Sequence, residues 1–539
     1  MEYTFFLKRK FNFFILILFF FFSLWLMGKS FGYDSIGHQF IIARNEVGDF
    51  GLHLSLIRSF SWGNNFPPQS PFFPGVALPY HYYFDFLVGL LERVGVPIAI
   101  ALNGLSVVSF TGLLFLIYAL PQIVFGRNKL LGVLSVVLFV FHSNLTFIDF
   151  LREKGISFSS FQSLWHLPDY MHKGPFDGSL ISIFFTLNVY LNQRHFIAAC
   201  AISLTILFFL LPSVLDGVKI FTRKLIFLGI LLGLLSRFHT LTFFATCLVI
   251  FLLFILFKRF RFIVPFFTPT ILIFYFHAKD ILSQNLSHNF FNPGFLSLKP
   301  LTINTFFSFW FANLGIALFL IPVGYFISSK KQKMVFLSVF SLFVIGNIFQ
   351  LSFLIDHNHS LFNLFIIFSN FYIAYALVKL LHKKTPFRIM FFISIVFFLT
   401  ASGIIDLMAV KNDFQYPLYD APANRFMEWI KSNTNKQDIF LSRQEIFDPV
   451  TLSGRRNYLG HSYYLSVMGY NYAERLNHVK SYFEAKSPSV FTSMKKEHIT
   501  YIVIPAKPIV DYNYKVNMDF LKKSLKIVYQ DKEFIVFQL

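Results

Sequence analysis

The polar stretch from Gly32 to Phe86 holds the side chains best suited to chemistry: Asp34, His38, Asp49, His53, His81 and Asp85, set among Tyr, Trp and Pro. Asp49 and His53 are spaced i, i+4, which on a helix puts them on one face. A carboxylate beside an imidazole can act as general base toward an acceptor hydroxyl or amine, or hold a divalent cation against a phosphate. A lone Asp is more simply a helix cap. The pairing of Asp49 with His53, followed by an aromatic and proline-rich loop, favours a task. Asp34 is the second candidate carboxylate. Pro67, Pro68, Pro71, Pro74, Gly75 and Pro79 stiffen the loop that follows, as suits a wall over a site or a rigid connector.

Three further groups carry charge or imidazole. Arg237 and His239 (LLGLLSRFHTLTFF) interrupt a long apolar run. An Arg placed there can neutralise a lipid phosphate, or simply snorkel to headgroups. Asp356-His357-Asn358-His359 (LSFLIDHNHSLFN) form either an ordinary turn or a set of contacts for a cation, phosphate or sugar; the helical zinc motif with Glu is absent. Near the C-terminus, Arg455, Arg456 and Arg475 lie among Tyr470 and Tyr472. A solvated surface with packing aromatics is the simpler reading of that cluster.

The elements that must position these groups are mostly membrane helices. The chain has 539 residues, 55% hydrophobic and 14% charged, with a mean hydropathy of +0.59, a balance that excludes a soluble globular domain. Apolar runs long enough to approach a ~30 Å hydrocarbon core lie near 11–27, 97–119, 130–148, 195–212, 224–237, 238–257, 262–277, 306–326, 333–354, 360–381 and 386–408. That predicts about eleven spans. Residues 178–191 are apolar but short, and are read as an interfacial or re-entrant helix.

The net charge of +20 is not read as a nucleic-acid footprint, because many of the basic residues sit in short clusters between apolar runs, the mark of cytoplasmic loops. Those clusters put the N-terminus in the cytoplasm, with residues 11–27 as an uncleaved signal anchor. Loops 28–96, 149–194 and 278–305 and everything after about 411 then lie outside. The two cysteines fall inside apolar runs, so they are packing residues rather than a disulfide or metal framework. Beyond 411 the pattern changes to a helix over 423–432, short strands at 438–441, 501–505, 525–529 and 533–538, and a helix at 519–524. The reading is a membrane domain over 1–410 and a small α/β domain outside the membrane over 411–539.

Taken in order, GDFGLH…FPPQSPFFPG…YHYYFDF, GLLSRFHTLTFF, FWFANLG, DHNHSLFN and SGRRNYLG resemble the type C (GT-C) superfamily of polytopic membrane glycosyltransferases, and uncharacterised bacterial members in particular. The resemblance implies transfer of a sugar from a polyprenyl-phosphate carrier to a cell-envelope glycan, lipid or protein on the outer face of the plasma membrane. It also implies a catalytic or metal-associated acid in the first external loop. That role falls on Asp49, then Asp34, with His53 assisting; the family's usual Asp-Glu pair is absent, since Ser35 follows Asp34 and Phe50 follows Asp49. Tyr80, His81, Arg237, His239, Asp356 and His357 are the candidate contacts for donor phosphate and substrate. If a divalent cation serves as cofactor, Asp49 and Asp356 are its candidate ligands. The competing readings are a flippase of lipid-linked sugars, which would place ionisable residues at mid-membrane, and a silent scaffold of envelope assembly.

Overall fold

The computed structural model describes residues 10–172, 178–181, 184–282, 289–352, 354–383, 385–506 and 515–539. Its compact units do not follow chain order. One gathers the described residues of 1–30, 103–277 and 287–414, and the other those of 31–102, 278–286 and 415–539.

The first unit is helical. Among the described residues, seven helices are long and apolar enough to cross a membrane: Phe11–Ser30, Ile98–Phe125, Arg194–Leu215, Phe260–Lys279, Lys330–Ile348, His359–Lys383 and Pro386–Asn412. The chain is a multi-pass membrane protein. The other four runs counted in the sequence are helical but not straight full-length spans. Lys129–Val140 has 12 residues, and Thr222–Phe238 and Thr240–Leu256 have 17 each. At ~1.5 Å per residue these reach only about 18 and 26 Å.

The run near 306–326 breaks into Ile303–Leu314 and Ala317–Phe326, bent by 91°. Gly315 sits at the bend with φ of 53°, a left-handed conformation that glycine adopts without strain. A Cβ there would come within 2.9 Å of Ser143 Oγ. Residues 178–191 do not span either. Among their described residues the α-helix begins at Leu187 and runs to Asn192, and neighbouring helices claim backbone before it: Ile181 N donates to Asn313 Oδ1 at 2.9 Å, and Asn363 Nδ2 donates to Phe184 O at 3.0 Å.

The second unit is α/β. β1 (Phe31–Asp34) and β2 (Gln39–Ala43) form a hairpin, and β5 (Gln415–Tyr419) adds antiparallel to β2, with Ile41 opposite Pro417. β3 (Gln69–Ser70) and β4 (Phe73–Ala77) pair within the proline-rich loop. A five-stranded sheet runs β7-β6-β8-β10-β9, made of β6 (Ile439–Leu441), β7 (Arg456–Asn457), β8 (Ile499–Pro505), β9 (Lys526–Gln530) and β10 (Phe534–Gln538). β6 is parallel to β7 and β8, and β10 is antiparallel to β8 and β9. The strands expected near 438, 501, 525 and 533 and the helices at Arg425–Asn433 and Met518–Ser524 are all present; β7 and β5 carried no usable pattern.

The helix Val47–Ser61 is buried from Phe50 to Ser61. Leu52, Leu56 and Phe60, spaced i, i+4, i+8, enter the same core as Leu441, Tyr464, Ile502 and Phe537. Each such side chain contributes on the order of 1.5–3 kcal/mol by leaving water. Two glycines allow the close approach. A Cβ at Gly51 would meet Ile446 O and Tyr464 Oη at 2.5 Å, and one at Gly89 of the helix Tyr83–Arg93 would meet Phe60 Cβ at 2.8 Å.

Candidate functional site

Asp49 lies in the first turn of the Val47–Ser61 helix and is half-buried. One turn on, His53 is 5% exposed and its Nδ1 meets both oxygens of Asp85, at 2.9 and 3.1 Å; Asp85 is 1% exposed. A carboxylate only accepts, so Nδ1 carries the proton and Nε2 is the basic nitrogen of the neutral ring. Burial raises the Asp85 carboxyl above the usual range, and His53 opposes that shift.

Two phenols complete the group. The Tyr80 ring lies 6.4 Å from the His53 ring, and the Tyr464 hydroxyl donates to Gly48 O at 2.7 Å. Burial, followed by the charge of Asp49, holds both hydroxyls protonated well beyond the normal tyrosine range. A carboxylate, an imidazole oriented by a second carboxylate, and neutral phenol donors make a set for moving a proton and holding hydroxyls. They make a poor cage for a divalent cation, which takes several oxygen ligands: in this unit Asp85 is committed to His53, and protonated phenols are weak ligands.

The wall beside this helix is fastened at many points. Asn457 N and Gly460 N donate to Pro71 O and Phe72 O at 2.8 Å each. Arg475 donates to Pro74 O at 2.8 Å and to Tyr458 O at 3.0 Å, and lies 3.8 Å over the Phe73 ring. Tyr470 donates to Ala77 O at 3.1 Å. The proline-rich loop is a fixed part of the unit. The C-terminal arginines are structural too: buried Arg455 donates to Ile430 O, Lys431 O and Thr434 O, closing the end of the Arg425–Asn433 helix.

On the opposite side of the Val47–Ser61 helix, nine residues and about 180° from Asp49, Arg58 is 2% exposed. Its Nη2 lies 2.7 Å from Asp420 Oδ2 and its Nε 3.3 Å from Glu92 Oε1. Its guanidinium stacks 3.3 Å from the Trp62 ring centroid, and Lys431 lies 4.1 Å from the same ring. Burial raises both Glu92 and Asp420, with Arg58 pulling each back down.

Asp34 is placed differently from the other first-loop candidates. Its carboxylate accepts from Ile36 N and Gln39 Nε2 inside its own hairpin, and the backbone N–H groups of Gly37 and then Ile36, with Gln39 behind them, hold it below the usual range. His81 is half-buried, its ring 3.9 Å from that of Tyr80.

The membrane unit holds the remaining candidates. His239 ends one helix and begins the next, and its Nδ1 accepts from Thr242 N at 3.2 Å, so its proton sits on Nε2. Its ring stacks on His195 at 5.6 Å. Arg237 donates to Phe276 O at 3.0 Å, and His277 Nδ1 lies 3.2 Å from Ser236 Oγ. His357 Nδ1 lies 2.7 Å from Ser352 Oγ. The side chain of Asp356 lies outside the described residues.

No protein-family profile matches the sequence, and no curated protein matches it. Solved structures do. The arabinofuranosyltransferase AftD from Mycobacteria aligns over 97% of this chain at a TM-score of 0.58 and 11% identity, and the chain spans 39% of that longer protein. The Archaeoglobus fulgidus oligosaccharyltransferase, solved tethered to an acceptor peptide, aligns over 93% of this chain and 70% of its own at a TM-score of 0.51 and 12% identity. The chain has the type C glycosyltransferase fold. At such identities the likeness speaks for the GT-C architecture alone, so activity must be argued from the side chains.

Sequence reasoning singled out Asp49, His53 and Tyr80, which lie together. It noted Asp85 without giving it a role, and it missed Tyr464, Arg58 and Asp420. An Arg inside the otherwise apolar LHLSLIRSF was the available signal for the buried ion group. Nothing local points from His53 to Asp85, thirty-two residues on.

Proposed function

We propose that this protein is a membrane glycosyltransferase that moves a sugar from a polyprenyl-phosphate donor to a cell-envelope acceptor, on the outer face of the plasma membrane and with inversion at the anomeric carbon. The observation that carries the reading is the half-buried Asp49, one helical turn from a His53 held by Asp85, with the neutral phenols Tyr80 and Tyr464 near enough to feel its charge, on a GT-C fold. The acceptor oxygen or nitrogen attacks the anomeric carbon and its proton passes to the Asp49 carboxylate. The bond from that carbon to the phosphate oxygen breaks, and the polyprenyl phosphate leaves with the electron pair. His53, with its Nδ1–H on Asp85, presents Nε2 to share or relay the proton. Tyr80 donates to a sugar or acceptor oxygen, and the Tyr464 oxygen, whose own proton is on Gly48 O, accepts from a sugar or acceptor hydroxyl. In the membrane unit, Arg237, His239 and His357 are the groups we assign to the donor phosphate, with Asp356 as a further candidate; the N-terminus would then be cytoplasmic.

The test incubates purified full-length protein with polyprenyl-phosphate sugars and a cell-envelope extract, and reads sugar release from the carrier. Wild type should release sugar, and Asp49→Asn should lose release by ~100-fold or more, the usual worth of a general base. Asp85→Asn should lower turnover and move the acid limb of the pH–rate profile while leaving donor binding intact. Full activity in a normally folded Asp49→Asn variant refutes the mechanism. No release from any donor by wild type shifts the reading to a flippase or scaffold.

A further inference from the structure

In the membrane unit, outside its spans, lies the eight-residue helix Phe158–Trp165. Phe158, Phe161 and Trp165, spaced i, i+3, i+7, share one face and are 85, 63 and 51% exposed; Ile156, just before them, is 90% exposed. Ser159, Ser163 and His166 carry the polar side. Three aromatic rings left in the open on two helical turns are more than a solvated loop should show.

Its neighbours fix its level. Asn412 Nδ2 donates to Trp165 O at 2.9 Å and to Leu167 O at 3.1 Å, and Lys411 Nζ lies 3.6 Å from the Trp165 ring centroid. Lys411 and Asn412 end the Pro386–Asn412 span. At ~1.5 Å per residue its 27 residues cover about 40 Å, some 10 Å more than a ~30 Å hydrocarbon core, so that end emerges among the headgroups. Tryptophan and lysine are enriched at that depth.

We propose that the Phe158–Trp165 helix is an interfacial anchor, lying in the leaflet that holds the C-terminal end of the last span. Phe158, Phe161 and Ile156 enter the acyl boundary, and Trp165 with Lys411 marks the headgroup level. The occupant of this face is the lipid surface itself. This inference is independent of the catalytic reading, since a flippase or scaffold would carry the same anchor.

The experiment places nitroxide labels by Phe158→Cys, Phe161→Cys, Ser159→Cys and Ser163→Cys in the full-length chain, with Cys200 and Cys247 replaced by Ala, reconstituted in liposomes. Relaxation by oxygen, which partitions into lipid, is compared with relaxation by a water-soluble nickel chelate. Positions 158 and 161 should be relaxed severalfold less by nickel, and more by oxygen, than 159 and 163. Equal nickel relaxation at all four overturns the proposal. Dipolar broadening that vanishes on dilution with unlabelled protein overturns it in favour of a second copy. The chain with its native cysteines offers a separate check: lipids brominated near the headgroups should quench its fluorescence more than that of Trp165→Phe, and equal quenching counts against the anchor.

Discussion

Arg58 offers the sharpest test of how the candidate site is held. Substituting Arg58→Met keeps the buried stem but deletes the cation facing Asp420 at 2.7 Å and Glu92 at 3.3 Å. Both carboxyls are already raised by burial, and Arg58 is the main group lowering them. Breaking a buried pair from one side costs ~3–5 kcal/mol, and losing the stack on Trp62 adds up to ~2 kcal/mol. The sign with pH follows from linkage. A carboxyl whose folded pKa is raised favours folding at low pH and loses that contribution as pH rises through the folded value. Without Arg58 the two rise further, so the variant should be several kcal/mol less stable at pH 8 and recover most of the loss toward pH 5. Adding Glu92→Gln and Asp420→Asn should restore stability and flatten the pH dependence, since a neutral group needs no counter-charge. The assay is pulse proteolysis in urea of the full-length protein in nanodiscs, with cleavage followed within residues 31–102. A loss of the same size at pH 5 and pH 8, or a triple variant as unstable as the single one, would refute the reasoning.

Gly51→Ala should destabilise the second unit by ~1–3 kcal/mol, the usual cost of overpacking, because its Cβ would lie 2.5 Å from a backbone oxygen that cannot yield. Gly48→Ala, with nothing within 4 Å, is the matched control and should cost nothing in the same proteolysis assay. Asp448 is 3% exposed, accepts from Ser442 Oγ, Asn457 Nδ2 and Val450 N, and is nonetheless pushed up to about 7 by burial. Its contribution is therefore complete below pH 4 and lost as pH rises through 7, a slope of up to about 1.4 kcal/mol per pH unit. Asp448→Asn should remove that slope from a stability–pH series between pH 4 and 7.

Much of this protein was legible one window at a time. Apolar runs mark membrane helices because lipid demands apolar length, and every run counted in the sequence holds a helix, though four are short or bent. The C-terminal strands were legible because alternation and turn residues are local properties. The pairing of Asp49 with His53 was legible because one helical turn brings i and i+4 together.

Tertiary structure decided what depends on distant segments meeting. The bend at Gly315 is set by the packing of residues 143–145 against it. β5 joins the first hairpin across more than three hundred residues of sequence. Whether a buried charge is tolerable depends on its partners, and those of Arg58 lie on two other elements, at Glu92 and Asp420. His53 becomes a base of defined tautomer only because a separate helix brings Asp85 to its Nδ1. Residue types and short-range spacing select candidate chemistry; burial and partner geometry, which belong to the folded chain, decide which side chain holds a proton.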